Sequence, residues 1–143
     1  MTPQDLPRQF EGCALAAYPD PVSHGAPWTI GWGHTKGVAQ GMTCTQAQAD
    51  QWLADDMAAA LATVAAAVKV PLSAGERDAL GDFVFNLGAG NFRTSTLLRL
   101  LNAGDYAGAS AEFKKWDMGG GHVVAGLLRR RLAEQAEFDG GGQ

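Results

Sequence analysis

Cysteine, histidine and proline are scarce in this chain: two Cys, three His and six Pro in 143 residues. Two thiols cannot build a disulfide framework, and neither they nor the histidines stand at zinc-ligand spacing, so no metal and no cofactor is expected. Long apolar runs are missing as well. No stretch approaches the ~18–20 residues of a membrane span, and the segment up to Phe10 carries Asp5 and Arg8 with no apolar h-region. Neither a signal peptide nor integral membrane association is expected, which leaves synthesis in the cytoplasm. Basic residues are too few for a polyanion partner: 11 Lys and Arg against 15 Asp and Glu give a net charge of −4, all of it in residues 1–62. Nucleic-acid binders show the opposite excess.

What is present is 46% hydrophobic against 18% charged residues, enough for one packed domain in a chain too short for two. Asp5 suits a helix N-cap with Pro7 in the first turn, and Leu6, Phe10 and Cys13 recur at helical spacing. Glu11 then falls in the last turn. Tyr18-Pro19-Asp20-Pro21 and His24-Gly25-Ala26-Pro27 are turn chemistry, and Trp28-Thr29-Ile30-Gly31-Trp32 alternates as a strand. These predict a small antiparallel hairpin with Trp28, Ile30 and Trp32 packed on one face. Thr45 to Gln48 and Ser73 to Glu76 both fit capping boxes, the first opening a long helical stretch that ends before Pro71. Three more helices are expected, about 95–102, 105–116 and 126–138. The fold class is α+β, a sheet region followed by a helical bundle.

Glu11 and Asp20 are the carboxylates of interest. Glycoside hydrolysis needs two, one to protonate the leaving oxygen and one to act at the anomeric carbon. Glu11 near a helix C-terminus faces the negative end of the macrodipole, which favours its protonated form, while Asp20 in a Pro-flanked loop is solvated and ionised. An acidic pair nine residues apart is ordinary by itself, because most surface carboxylates have no special role. Thr29 sharpens the pattern. With the hairpin turn centred at His24-Gly25, Asp20 and Thr29 stand opposite one another, close enough for a carboxylate and a hydroxyl to hold one water.

These residues carry a resemblance. Glu11, Asp20 and Thr29-Ile30-Gly31-Trp32-Gly33-His34-Thr35 resemble the phage-type lysozymes of glycoside hydrolase family 24. So do Phe83-Val84-Phe85-Asn86-Leu87-Gly88, the stretch from Ser95 to Gly104, and Gly126-Leu127-Leu128-Arg129-Arg130-Arg131, in that order along the chain. The resemblance implies an endolysin that cuts the β-1,4 bond between N-acetylmuramic acid and N-acetylglucosamine in peptidoglycan, with inversion. Glu11 would be the general acid, Asp20 the water-activating carboxylate and Thr29 the water-positioning hydroxyl. It further implies a single lysozyme-like domain with lobes of about 1–45 and 70–143 joined by a helical segment 45–69, a monomer acting on the wall in the periplasm. Holin-assisted or tail-associated delivery would bring it there. The loop Val22–Pro27 is a few residues longer than the family's, and a bulge there would move Thr29. A lytic transglycosylase and a wall-binding module without turnover are the alternatives; the intact trio favours hydrolysis.

Two further residues are expected to support the site. His34 fits a structural histidine where the hairpin meets the rest of the fold. On a helical wheel of about 100° per residue, Arg131 falls among apolar neighbours and needs an acid, for which Glu11 is a candidate. Arg130 falls beside Glu134 and Glu137 and is expected to be a solvated partner of Glu134. Cys13 and Cys44 are expected to be core fillers without a function.

Overall fold

The computed structural model describes residues 2–21, 23–119 and 122–140. The first helix, α1 (Asp5–Phe10), begins after Gln4; Asp5 lies in its first turn, and its carboxylate accepts from the Thr2 N–H and hydroxyl at 2.7 and 3.0 Å. Pro7 is buried in that turn, where a missing N–H costs little. The helix closes with the Glu11 N–H on the Pro7 carbonyl at 2.7 Å, and Glu11 itself turns to extended backbone. It therefore sits just past the helix, not in its last turn.

Strands β1 (Ala14–Tyr18) and β2 (Thr29–Gly31) pair antiparallel, with Ala14 against Gly31, Tyr18 against Thr29 and an irregularity between. On its other side β1 bonds the approach to the next helix, through Ala17 N–H to Met42 O and Cys44 N–H to Leu15 O, both 2.9 Å. Two expectations fail in this region. Asp20 does not stand opposite Thr29, because the loop closes early. Asp20 N–H bonds Gly25 O at 2.9 Å and His24 N–H bonds Asp20 O at 2.8 Å, with His24 and not Gly25 taking the left-handed backbone (φ 59°). Tyr18 is left as the partner of Thr29; Val22 lies outside the described residues.

The stretch from Trp28 to Trp32 is also not one continuous strand. Gly31 and Gly33 both adopt left-handed backbone (φ 64° and 81°), which reverses the chain so that Ile30 and His34 exchange two backbone hydrogen bonds of 2.9 Å. Ile30 is fully buried, whereas Trp32 is half-buried and donates its indole N–H to Asp50 at 2.9 Å. The core packing expected of Trp32 is replaced by a polar tie to the next helix.

That helix, α2 (Gln46–Ala67), is uninterrupted, and Thr45 caps it by accepting from the Gln48 N–H. In α3 (Ala74–Leu87) both halves of the Ser73–Glu76 capping box are made. Short helices α4 (Ala89–Arg93), α5 (Thr96–Asn102) and α6 (Tyr106–Glu112) follow, the last running into one 3-10 turn, and a small hairpin of β3 (Met118–Gly119) and β4 (His122–Val123) precedes α7 (Ala125–Phe138). The fourth helix and the second hairpin carry no periodic pattern long enough to read from sequence. Met57, Val64, Leu80, Leu97 and Leu101 fill the core around Phe83, which meets Phe92, Phe113 and Trp116 edge-on at 6.1, 5.8 and 5.5 Å.

The final helix is turned from its expected phase. Arg130, Arg131, Glu134, Glu137 and Phe138 face inward, while Leu132 is 46% exposed. Arg131 is inward as expected, but its partner is Glu134, at 2.6 Å from Nε to Oε1 and 2.7 Å from Nη2 to Oε2, both residues fully buried. Breaking one side of such a pair leaves an uncompensated buried group and costs ~3–5 kcal/mol. Arg131→Ala should therefore lose about that much stability in urea unfolding, while exposed Arg129→Ala should stay within ~0.5 kcal/mol of the parent. Equal effects would show that the buried pair does not hold this helix in place.

Candidate active site

Glu11 is delivered by the end of α1 and held from the far end of the chain. Its Oε2 accepts from Arg130 Nη1 at 2.5 Å, and its side chain keeps 20% of its surface. The same guanidinium donates Nε to Asp82 Oδ2 at 2.8 Å and Nη2 to Asp82 Oδ1 at 2.7 Å, a bidentate pair on α3. Phe10 and Phe85 lie over the guanidinium at 5.8 and 5.9 Å. Burial works against the Arg130 charge, but hydrogen bonds to Asp82 and the charges of Asp82 and Glu11 more than offset it, raising its proton affinity. Gly33 leaves the space on the other side. A Cβ at that position would stand 2.8 Å from both Cδ and Oε1 of Glu11, and φ 81° is itself hostile to any side chain.

Asp20 lies in the loop after β1, half-buried, with Oδ2 accepting from the Ser23 N–H at 2.9 Å. Thr29 opens β2, half-buried, across from Tyr18. Tyr18 joins these groups electrostatically: burial and the Glu11 charge push its phenol upward, and a hydrogen bond with the Thr29 side chain draws it back. Glu11, Tyr18 and Thr29 thus share one neighbourhood on the hairpin side.

His34 is buried and sits with Nδ1 2.7 Å from Asp56 Oδ2, its ring stacked on Trp52 at 4.6 Å and 5°. It ties the tight turn bearing Gly33 to α2. Arg131 does not reach Glu11; that contact belongs to Arg130, which was expected to be solvated.

Glu11 lines a cavity of about 610 Å³ together with Phe10, Asn86, Leu127 and both Arg129 and Arg130. A second cavity of about 260 Å³ lies between Gly33, Thr35 and Lys36 of the turn region, Asp56 and Thr63 of α2, and Phe85 of α3. Gly33 and Phe85 border both this cavity and the Glu11–Arg130 pair. No group of three or more His, Cys, Asp or Glu among the described residues is placed to hold a metal ion.

Sequence patterns missed Asp82, Arg130 and Tyr18. Asp82 could have been noticed as an acid on the inward face of an apolar helix, a position that calls for a buried cation. Tyr18 had no such signal, because its place depends on the slipped hairpin register.

The model of the family described as phage lysozyme matches residues 8–134. An endolysin of Acyrthosiphon pisum secondary endosymbiont phage 1 is 43% identical over 138 residues, covering 94% of this chain and 92% of that protein. Among solved structures, the muramidase domain of SpmX from Asticaccaulis excentricus is 33% identical with a TM-score of 0.85, over 95% of this chain and 93% of that one. The endolysin of Escherichia coli O157:H7 phage FAHEc1 is likewise 33% identical, with a TM-score of 0.82 over 95% and 89%. The chain belongs to the phage lysozyme family and is a lytic enzyme of the glycosidase type.

Proposed function

We propose that this chain hydrolyses the β-1,4 bond between N-acetylmuramic acid and N-acetylglucosamine in bacterial peptidoglycan, with Glu11 as proton donor, Asp20 as base and Thr29 as the hydroxyl that holds the attacking water. The observation that carries this is Glu11 itself: a partly exposed carboxyl on a cavity wall, oriented by Arg130 through one oxygen and backed by a glycine at the other. Glu11 gives its proton to the glycosidic oxygen as the anomeric C–O bond breaks. Water attacks the anomeric carbon from the opposite face and loses its proton to Asp20, so one water is consumed per bond and the configuration inverts. Asp20, held in the loop by the Ser23 N–H, favours this over a transglycosylase, which closes an anhydro ring without consuming water.

Product mass separates the two. Digested peptidoglycan should yield reducing muramic acid ends that take one oxygen from ¹⁸O-labelled water; anhydro ends without label would overturn hydrolysis. Glu11→Gln should cut lysis of permeabilised Gram-negative cells by ~10²–10⁴-fold, the usual contribution of a general acid. Its unfolding temperature should stay at or above the parent's, since Arg130 keeps its bidentate partner Asp82. Substantial lysis by the folded variant would remove Glu11 from the role.

Gly33→Ala tests the orientation of that carboxyl. Left-handed backbone at a non-glycine residue costs ~1–2 kcal/mol. The added methyl would also force Glu11 aside, since it would lie 2.8 Å from Oε1. Activity of the folded variant should fall by at least ~10²-fold, the scale expected of a misplaced catalytic group. Near-parental activity would show that the close packing of Glu11 on Gly33 does not orient the carboxyl.

A further inference from the structure

Arg130 stands between two carboxylates and is immobilised by one of them. Asp82, fully buried on α3, takes Nε and Nη2 at 2.8 and 2.7 Å, leaving Nη1 alone to reach Glu11 Oε2. The rings of Phe10 and Phe85 lie over the guanidinium. It therefore cannot follow Glu11 if that side chain moves.

The charges matter as much as the geometry. An isolated guanidinium in contact with Glu11 would hold it as a carboxylate, which has no proton to give. Asp82 already satisfies that cation. Burial opposes the Asp82 anion, yet hydrogen bonds with Arg130 and Glu134, together with the charges of Arg130 and Arg131, hold it below the usual carboxylate range. Tyr18 from β1 feels the Glu11 charge, and Arg129 shares its cavity wall. Arg131 and Glu134 lie beyond Asp82 on α7, paired to each other.

We propose that Asp82 is a positioning residue for Glu11: by fixing Arg130 and cancelling its charge, it turns that arginine into a directional donor to Oε2 and leaves the transferable proton on Oε1. Oε1 is the oxygen that Arg130 does not contact; it packs against Gly33, where a side chain would displace it. This rests on Glu11 being the proton donor, and its test is built to separate the two.

The experiment is the pH profile of kcat/KM on purified peptidoglycan for the parent, Asp82→Asn, Asp82→Glu and Glu11→Gln. In Asp82→Asn the uncancelled Arg130 charge should stabilise ionised Glu11 and move the alkaline limb to lower pH by ~1 unit or more, the scale of an opposite charge in contact. Activity on the acid side of that limb should be recovered, and Asp82→Glu, which keeps the charge, should return the limb toward its parental position. An unmoved limb, or a loss equal at every pH, overturns the role of Asp82. If Glu11→Gln remains active, it is the assignment of Glu11 that fails instead. A ¹³C NMR titration of the Glu11 carboxyl in the parent covers the case of an Asp82 variant that does not fold. Its deprotonation should track the alkaline limb, and a Glu11 ionised throughout the active range overturns the proposal.

Discussion

One guanidinium joins the two ends of this protein. Glu11 lies just past the first helix, Asp82 on the third and Arg130 on the last, and the three meet through hydrogen bonds of 2.5, 2.7 and 2.8 Å. No local segment can form this arrangement alone. The position of Glu11 therefore reports the folding of the whole chain. A charge buried this deeply is costly unless it is hydrogen-bonded, and Asp82 and Glu11 between them accept three bonds from it. The aromatic rings of Phe10 and Phe85 cover the guanidinium.

The hairpin side of the site follows a different physical logic. Its strands are short, and its shape is set by turns: left-handed Gly31 and Gly33 fold the chain back at Ile30 and His34. His34 then fastens that turn to α2 through Asp56 and Trp52. Because Gly33 touches Glu11, the turn and the helix end are positioned against one another directly. A small sheet can in this way hold one side of the Glu11 site without an extensive core of its own.

Much of this was legible in the sequence, and the failures share a cause. The caps expected at Thr45 and Ser73 each accept from the residue three positions on, as local chemistry requires. Of the residues singled out from sequence, Glu11 and Thr29 share a neighbourhood beside Tyr18, while Asp20 stays in the loop after β1. Register was not legible. The backbone at Asp20 closes on His24 and Gly25, and Thr29 pairs with Tyr18, not with Asp20. The phase of α7 failed because hydrophobic residues were used to mark its inner face. Here that face is charged, with Arg130, Arg131 and Glu134 inward and Leu132 outward. Binary patterning cannot anticipate a buried ion network, since the partners that make it tolerable come from distant elements.

That network also couples stability to pH in two opposing directions. Burial pushes the Glu134 carboxyl well above the usual range, with Asp82 adding to the shift and Arg131 offsetting part of it, while Asp82 is held below the usual range. An acid whose folded value is lowered contributes stability above its unfolded value and loses it as pH falls through the folded one. An acid whose folded value is raised contributes below its unfolded value and loses it as pH rises through the folded one. Both contributions are therefore complete near the ordinary carboxylate range, about pH 4. Toward neutrality the Glu134 contribution declines while that of Asp82 persists. One cluster thus shifts the two residues oppositely: the charges of Arg130 and Arg131 favour the Asp82 anion, while burial beside Asp82 disfavours that of Glu134.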